Sequence, residues 1–222
     1  MRQLFIDTAN LDKISSVCRR GIISGVTTNP SLMSKEPKAD YVGHMQKIAE
    51  ICQKYNNIPL SVEVFATDQN EIYDQSLQLQ ADIGYDNLNI KIPVGFDELE
   101  TIHKLATVGA RVNCTCCFTT SQLTLAAAAG ARYVSFFYNR ARDSGENEFD
   151  TLGDTSKFIG VNGLNCEIIA GSIRTPKNIT DAWTYGAHIV TAGYDVIKEG
   201  TTHPGTQSSV DQFLTDFKEW IN

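Results

Sequence analysis

One lysine stands inside an apolar run, Asn89-Ile90-Lys91-Ile92-Pro93, whereas the other ten lysines lie in polar surroundings. An ammonium group held among apolar neighbours loses several kcal/mol of hydration unless something compensates it. Such a lysine is therefore a candidate nucleophile. Its amine can attack a ketone, and the resulting iminium withdraws electrons so that an adjacent C–C bond breaks or forms. Protons must also move, to and from the carbinolamine and from a substrate hydroxyl. Asp7 and Glu63, the latter through a water held by Thr115, are the available acid–base groups.

Those residues must be brought together by the elements around them. Short apolar runs alternate with amphipathic stretches along the whole chain. The pattern predicts strands near Gln3 to Asp7, Ser24 to Thr27, Leu60 to Phe65, Leu88 to Ile92, Arg111 to Cys116, Tyr133 to Phe137, Cys166 to Ala170 and His188 to Thr191. Helices are expected from Asn10 to Arg20, Asp40 to Lys54, Asp68 to Gln80, Phe96 to Val108 and Thr120 to Ala129. Further helices are expected near Asp150 to Phe158, Pro176 to Tyr185 and Tyr194 to Glu199, with a terminal one over Ser208 to Trp220. Eight strand–helix units imply a parallel sheet closed into an α/β (β/α)8 TIM barrel: one domain over residues 1–222, with residues 207–222 as an extra C-terminal helix. His203-Pro204 reads as a loop before that helix.

In such a barrel the site lies at the C-terminal ends of the strands. Polar residues unwelcome in a buried strand gather at those predicted ends: Asp7, Thr27 with Asn29, Glu63, Lys91, Asn113 with Thr115, Ser135 and Ser172. Because side chains alternate along a strand, Lys91 faces inward while Ile90 and Ile92 face the helices. Arg140 follows the sixth strand and Arg174 the seventh, beside Ser172, close to where barrels often hold a phosphate. Two guanidinium groups suit a dianion.

Composition narrows the partners. Among 222 residues, 42% are hydrophobic and 20% charged, and 19 basic against 26 acidic side chains give a formal charge of −7. No run of Lys or Arg exceeds two, so nucleic acid and anionic membranes are poor partners, and an anionic substrate must be held by a local cationic cluster. The N-terminus meets Asp7 after three apolar residues, too soon for a signal or membrane segment, and the chain reads as cytosolic. Six cysteines without a disulfide framework fit a reducing compartment. Cys114, Cys116 and Cys117 read as small packing residues, since the paired C-x-x-C motifs of zinc sites are absent and the four histidines are scattered. Without G-x-G-x-x-G or G-x-x-x-x-G-K-[ST], dehydrogenase and kinase readings have no support, and the chemistry calls for neither metal nor cofactor.

Five segments carry a resemblance: Phe5-Ile6-Asp7-Thr8-Ala9-Asn10, Gly25-Val26-Thr27-Thr28-Asn29-Pro30-Ser31-Leu32, Asn89-Ile90-Lys91-Ile92-Pro93, Asn113-Cys114-Thr115 and Ile169-Ala170-Gly171-Ser172-Ile173-Arg174. In that order they resemble the transaldolases, in the shorter subfamily shared with fructose-6-phosphate aldolases. The resemblance implies Lys91 as Schiff-base residue, Asp7 as proton-transfer group, Glu63 and Thr115 around a catalytic water, and Asn29 and Asn113 on a dihydroxyacetone unit. It also implies Arg140, Ser172 and Arg174 on the phosphate of a sugar phosphate, a place in the pentose phosphate pathway, and a homo-oligomer, pentamer or decamer, for which the terminal helix is an intersubunit element. Ser135 is the weakest of the set, since small hydroxyls often fill barrels.

Aldolases of this group carry Gln where this chain has Glu63 and Tyr where it has Phe137, so both residues resemble the transaldolase pattern. A tyrosine hydroxyl can help protonate the enamine left after cleavage, and phenylalanine cannot. Phe137 is placed inward, although a slip of one residue would put Tyr138 there. Phe136, Asn139 and Gly193 depart from the family's usual Pro, Gly and Pro, and are expected at the pocket rim or in its loops. Two rival readings stay open: an aldolase that releases free dihydroxyacetone, and a non-catalytic sugar-phosphate-binding barrel.

Overall fold

The computed structural model describes residues 2–221. Eight strands occur in chain order: β1 Gln3–Asp7, β2 Val26–Thr27, β3 Leu60–Glu63, β4 Leu88–Pro93, β5 Val112–Cys117, β6 Tyr133–Phe137, β7 Glu167–Ile173 and β8 Ile189–Ala192. Each pairs in parallel with the next, and β8 returns to β1 to close the barrel. The helices are α1 Leu11–Cys18, α2 Pro30–Met33, α3 Tyr41–Lys54, α4 Gln69–Ile83, α5 Phe96–Thr107, α6 Thr120–Ala128, α7 Tyr138–Asp143, α8 Glu148–Val161, α9 Pro176–Thr184, α10 Tyr194–Glu199 and α11 Pro204–Ile221.

Local chemistry starts most of these helices. Asn10, Asp40, Asp68 and Asn147 accept backbone N–H groups of the first turn, each cap stabilising by about 1 kcal/mol. Thr119 with Gln122 and Thr175 with Asn178 close reciprocal capping boxes at α6 and α9. Two helices are not foreseen by periodicity, α2 and α7, because four and six residues are too short to show a 3.6-residue repeat. A third difference is the start of α11. The sequence suggests a loop at His203-Pro204, but Pro204 opens the helix, its fixed φ suiting the first helical position.

Alternation along the strands divides the buried side chains into two sets. Outward positions such as Ile90, Ile92, Val112 and Val134 are fully buried between sheet and helices. Inside the barrel, Phe5, Tyr133, Ile169 and Ile189 form a separate apolar cluster, with Phe5 edge-on to Tyr133 at 6.3 Å. Gly25 is required there, since a Cβ would stand 2.4 Å from the Phe5 ring. Two residues further along the strands the same inward direction carries Asp7, Thr27, Glu63, Lys91, Thr115, Ser135 and Thr191. The apolar plug thus supports a polar layer toward the C-terminal ends.

α11 stands apart from this core. None of its residues is buried, and Val210, Phe213, Leu214, Phe217, Trp220 and Ile221 recur along one helical stripe, with Trp220 80% exposed. Among the described residues no helix is long and apolar enough to cross a membrane.

Candidate active site

Strand register brings the central groups together. Glu63 pairs with Lys91 across β3 and β4, Lys91 with Asn113 across β4 and β5, and Asp7 with Thr27 across β1 and β2. Lys91 is 6% exposed, and its Nζ donates to Glu63 Oε2 at 2.8 Å and to the Thr28 carbonyl at 2.8 Å. A carboxylate and a carbonyl thereby replace the water that burial removes, and the amine still borders a cavity of about 250 Å3. That cavity is lined by Asp7, Thr27, Asn29, Glu63, Lys91, Thr115, Ser135, Phe137, Arg140 and Ser172, together with Pro30, Ser31, Cys116, Gly171 and Thr191.

Hydrogen bonds fix the polarity of each wall. Thr27 donates its hydroxyl proton to Asp7 Oδ1 at 2.7 Å, which leaves Thr191 to donate to Thr27 at 2.6 Å. Burial raises the Asp7 carboxyl above its ordinary range. The Lys91 ammonium and the Thr27 hydroxyl oppose that rise, Glu63 adds to it, and Arg140 also opposes it. On the opposite wall Ser135 donates to Asn113 Oδ1 at 2.6 Å, and Asn113 Nδ2 donates to Ser61 Oγ at 3.1 Å. Asn113 is fully buried beneath the cavity lining, so it orients Ser135 from below. Thr115 Oγ1 is buried and makes no hydrogen bond among the described residues, a group suited to holding a water.

Asn29 plays two parts. Its Oδ1 caps α2 by accepting from the Leu32 N–H at 3.0 Å, while the residue lines the cavity. Asp7 caps no helix, because Asn10 does so for α1. Phe137 faces the cavity, edge-on to Phe118 at 5.7 Å and beneath the Arg140 guanidinium at 4.8 Å. Tyr138 points the other way and is buried against Phe136 and Phe149.

Arg174 is not brought into this lining. Its guanidinium is half exposed and pairs with Asp143 at the end of α7. Phe136 and Asn139 also differ from expectation: both are fully buried, Phe136 in the outer core and Asn139 behind the cavity wall, so neither forms the rim. Gly193 leads into α10 beside a neighbouring depression that shares Asp7.

Cys116 and Thr191 are the residues that sequence reasoning missed. Alternation turns Cys116 outward, but a register shift between Cys114 and Cys117 and a left-handed backbone, φ 59°, bring it into the lining. Burial, then the Glu63 carboxylate, push its thiol up and keep it protonated. Thr191 is an inward strand residue two positions beyond Ile189, named by the sequence only as the end of the eighth strand. A second left-handed residue, Ser172 at φ 58°, marks the bulge between β7 and β8, where a non-glycine residue stores ~1–2 kcal/mol of strain.

A larger depression, about 730 Å3, lies at the N-terminal end of the barrel. Its arginines are engaged, Arg111 by Asn87 and Arg132 by Glu167, and it has no amine–carboxylate pair on an apolar strand. Among the described residues no group of three or more His, Cys, Asp or Glu could hold a metal ion.

A family model described as Transaldolase/Fructose-6-phosphate aldolase matches residues 4–221. The chain belongs to this family. Its relatives include a probable transaldolase of Roseiflexus sp., 35% identical over 218 residues and covering 98% of both chains. A probable transaldolase of Alkaliphilus metalliredigens is 38% identical over 216 residues, covering 97% of this chain and 98% of the relative. One from Geobacillus sp. is 37% identical over 215 residues, with 97% and 98% covered. The residues matched to the transaldolase/fructose-6-phosphate aldolase family span this chain's barrel from β1 to β8 and its terminal helix.

Proposed function

We propose that the protein is a transaldolase that moves a dihydroxyacetone unit from a ketose phosphate, fructose 6-phosphate or sedoheptulose 7-phosphate, to erythrose 4-phosphate or glyceraldehyde 3-phosphate. The observation that carries this reading is the Lys91–Glu63 pair opening onto a cavity that Phe137 helps to line without a phenolic hydroxyl. Lys91 loses a proton toward Glu63, and its free amine attacks the donor C2 carbonyl. The carbinolamine expels water, with Glu63 and a water on Thr115 carrying protons, to give the iminium. Asp7 then takes the C4 hydroxyl proton, the C3–C4 bond breaks, and its electron pair passes to the iminium as an enamine while the aldose phosphate leaves. An acceptor aldehyde receives the enamine carbon, Asp7 returns the proton to the new hydroxyl, and hydrolysis releases Lys91. Asn29 and Ser135 hold the three-carbon unit, and Asn113, which the resemblance put on that unit, acts from beneath the lining by orienting Ser135. Arg140 and Ser172 hold the phosphate, with Arg174 recruited from Asp143.

The test is to follow fructose 6-phosphate consumption with and without erythrose 4-phosphate. Strict dependence on the acceptor is expected, whereas equal rates with free dihydroxyacetone appearing would establish an aldolase instead. Phe137→Tyr supplies a hydroxyl near the enamine and should raise free dihydroxyacetone release several-fold. Unchanged partitioning would remove Phe137 from this role.

Thr27→Val probes the state of Asp7. The Thr27 hydroxyl favours the carboxylate form, so its loss raises the Asp7 pKa further. Since the carboxylate accepts the C4 proton, the acidic limb of the kcat profile should move to higher pH. A limb that stays in place would show that Asp7 does not set it.

The same reading extends to assembly in the cytosol, within the pentose phosphate pathway. The apolar stripe on α11 is too large to leave bare on a stable monomer and suits a neighbouring copy in a pentamer or decamer. Removing residues 204–222 should reduce the sedimenting mass while leaving the barrel folded; an unchanged mass would place the interface elsewhere.

A further inference from the structure

The two halves of the proposed anion-binding wall arise on different elements, Arg140 from α7 and Ser172 from the end of β7. One buried side chain joins them. Asn139, immediately before Arg140, donates through Nδ2 to the Ser172 carbonyl at 2.8 Å and to Asn178 Oδ1 at 2.9 Å. Asn178 Oδ1 also accepts from the backbone N–H groups of Arg174 at 3.3 Å and Thr175 at 3.2 Å. The amide of Asn139 therefore reaches the whole turn from Ser172 to Thr175, either directly or through Asn178.

Two features show that this link does more than fill space. Ser172 is held at φ 58°, a conformation that persists in a non-glycine residue only when its surroundings over-determine it, and the Asn139 bond fixes the carbonyl of that same residue. Meanwhile Asn139 Oδ1 is buried with no hydrogen-bond partner among the described residues. A side chain present only for packing would have no need of that unsatisfied oxygen, so Asn139 contributes through its donor half.

We propose that Asn139 is a positioning residue for the anionic end of the substrate, setting the distance between Arg140 and the Ser172 turn and hence the preference for phosphorylated over unphosphorylated ketoses. The proposal rests on the transaldolase reading. It makes no contact with the reacting carbons, so its effect falls on binding of the phosphate and leaves the Lys91 chemistry intact.

The experiment compares the parent with Asn139→Ala and Asn139→Leu, the second keeping about the same volume but offering no donor. Donors are fructose 6-phosphate and fructose, each with unphosphorylated glyceraldehyde as acceptor so that no second phosphate competes. Both variants should raise KM for fructose 6-phosphate by about tenfold with kcat within about threefold, and leave kcat/KM for fructose within about threefold. An equal fall for both donors, or an unchanged KM for the phosphorylated one, overturns the proposal. Borohydride trapping of Lys91 with fructose 6-phosphate at saturating concentration checks that each variant is folded. A parent that turns over neither donor defeats the transaldolase reading itself, while an active parent without the split in its variants defeats only the role of Asn139.

Discussion

Lys91→Met is expected to lower kcat by roughly four orders of magnitude or more, because among the described residues no other amine borders the cavity to form the covalent intermediate. Borohydride added with fructose 6-phosphate should trap an adduct on Lys91 in the parent, seen by mass spectrometry of the peptide, and none in the variant. An unmodified Lys91 under turnover would overturn the mechanism. Loss of the ammonium also leaves Glu63 without its partner, and breaking a buried ion pair from one side destabilises. The double variant Lys91→Met with Glu63→Gln removes both charges. It should unfold at a temperature closer to the parent's while remaining inactive, which separates loss of chemistry from loss of fold.

Asp7→Asn should cost about 10²- to 10⁴-fold in kcat, the usual range for removing a positioned acid–base group. Its signature differs from that of Lys91. Glu63 is hydrogen-bonded to the amine, whereas Asp7 stands on β1, three strands from β4, so iminium formation should survive and borohydride trapping persist. Loss of trapping together with turnover would move Asp7 into the dehydration step. The amide also leaves Thr27 without its carboxylate acceptor, but Asn Oδ1 can still accept that hydroxyl proton, so thermal stability should change little.

The barrel was legible because its signal is repeated: eight short apolar runs, each followed by a helical stretch, leave few other topologies. The candidate site was legible for a related reason. Lys91, Glu63, Asp7 and Thr27 are charged or polar groups where strand alternation demands apolar ones, and their register then places them in one layer. What escaped lies where alternation fails. The bulge in β5 inverts Cys116, and the extension of β7 past Ala170 carries Ser172 at a backbone angle no periodicity announces. The direction of Arg174 was equally hidden, since its partner Asp143 belongs to the six-residue helix α7. Asn139, expected near the rim, lies behind it for the same reason.

The stacked interior described above, an apolar plug of Phe5, Tyr133, Ile169 and Ile189 beneath the polar layer, has a practical consequence for redesign. Residues that hold the barrel shut and residues that line the cavity occupy separate storeys of the same strands, two positions apart. Libraries confined to lining positions such as Ser135, Cys116 and Phe137 should therefore reshape the pocket while the foundations stay unaltered.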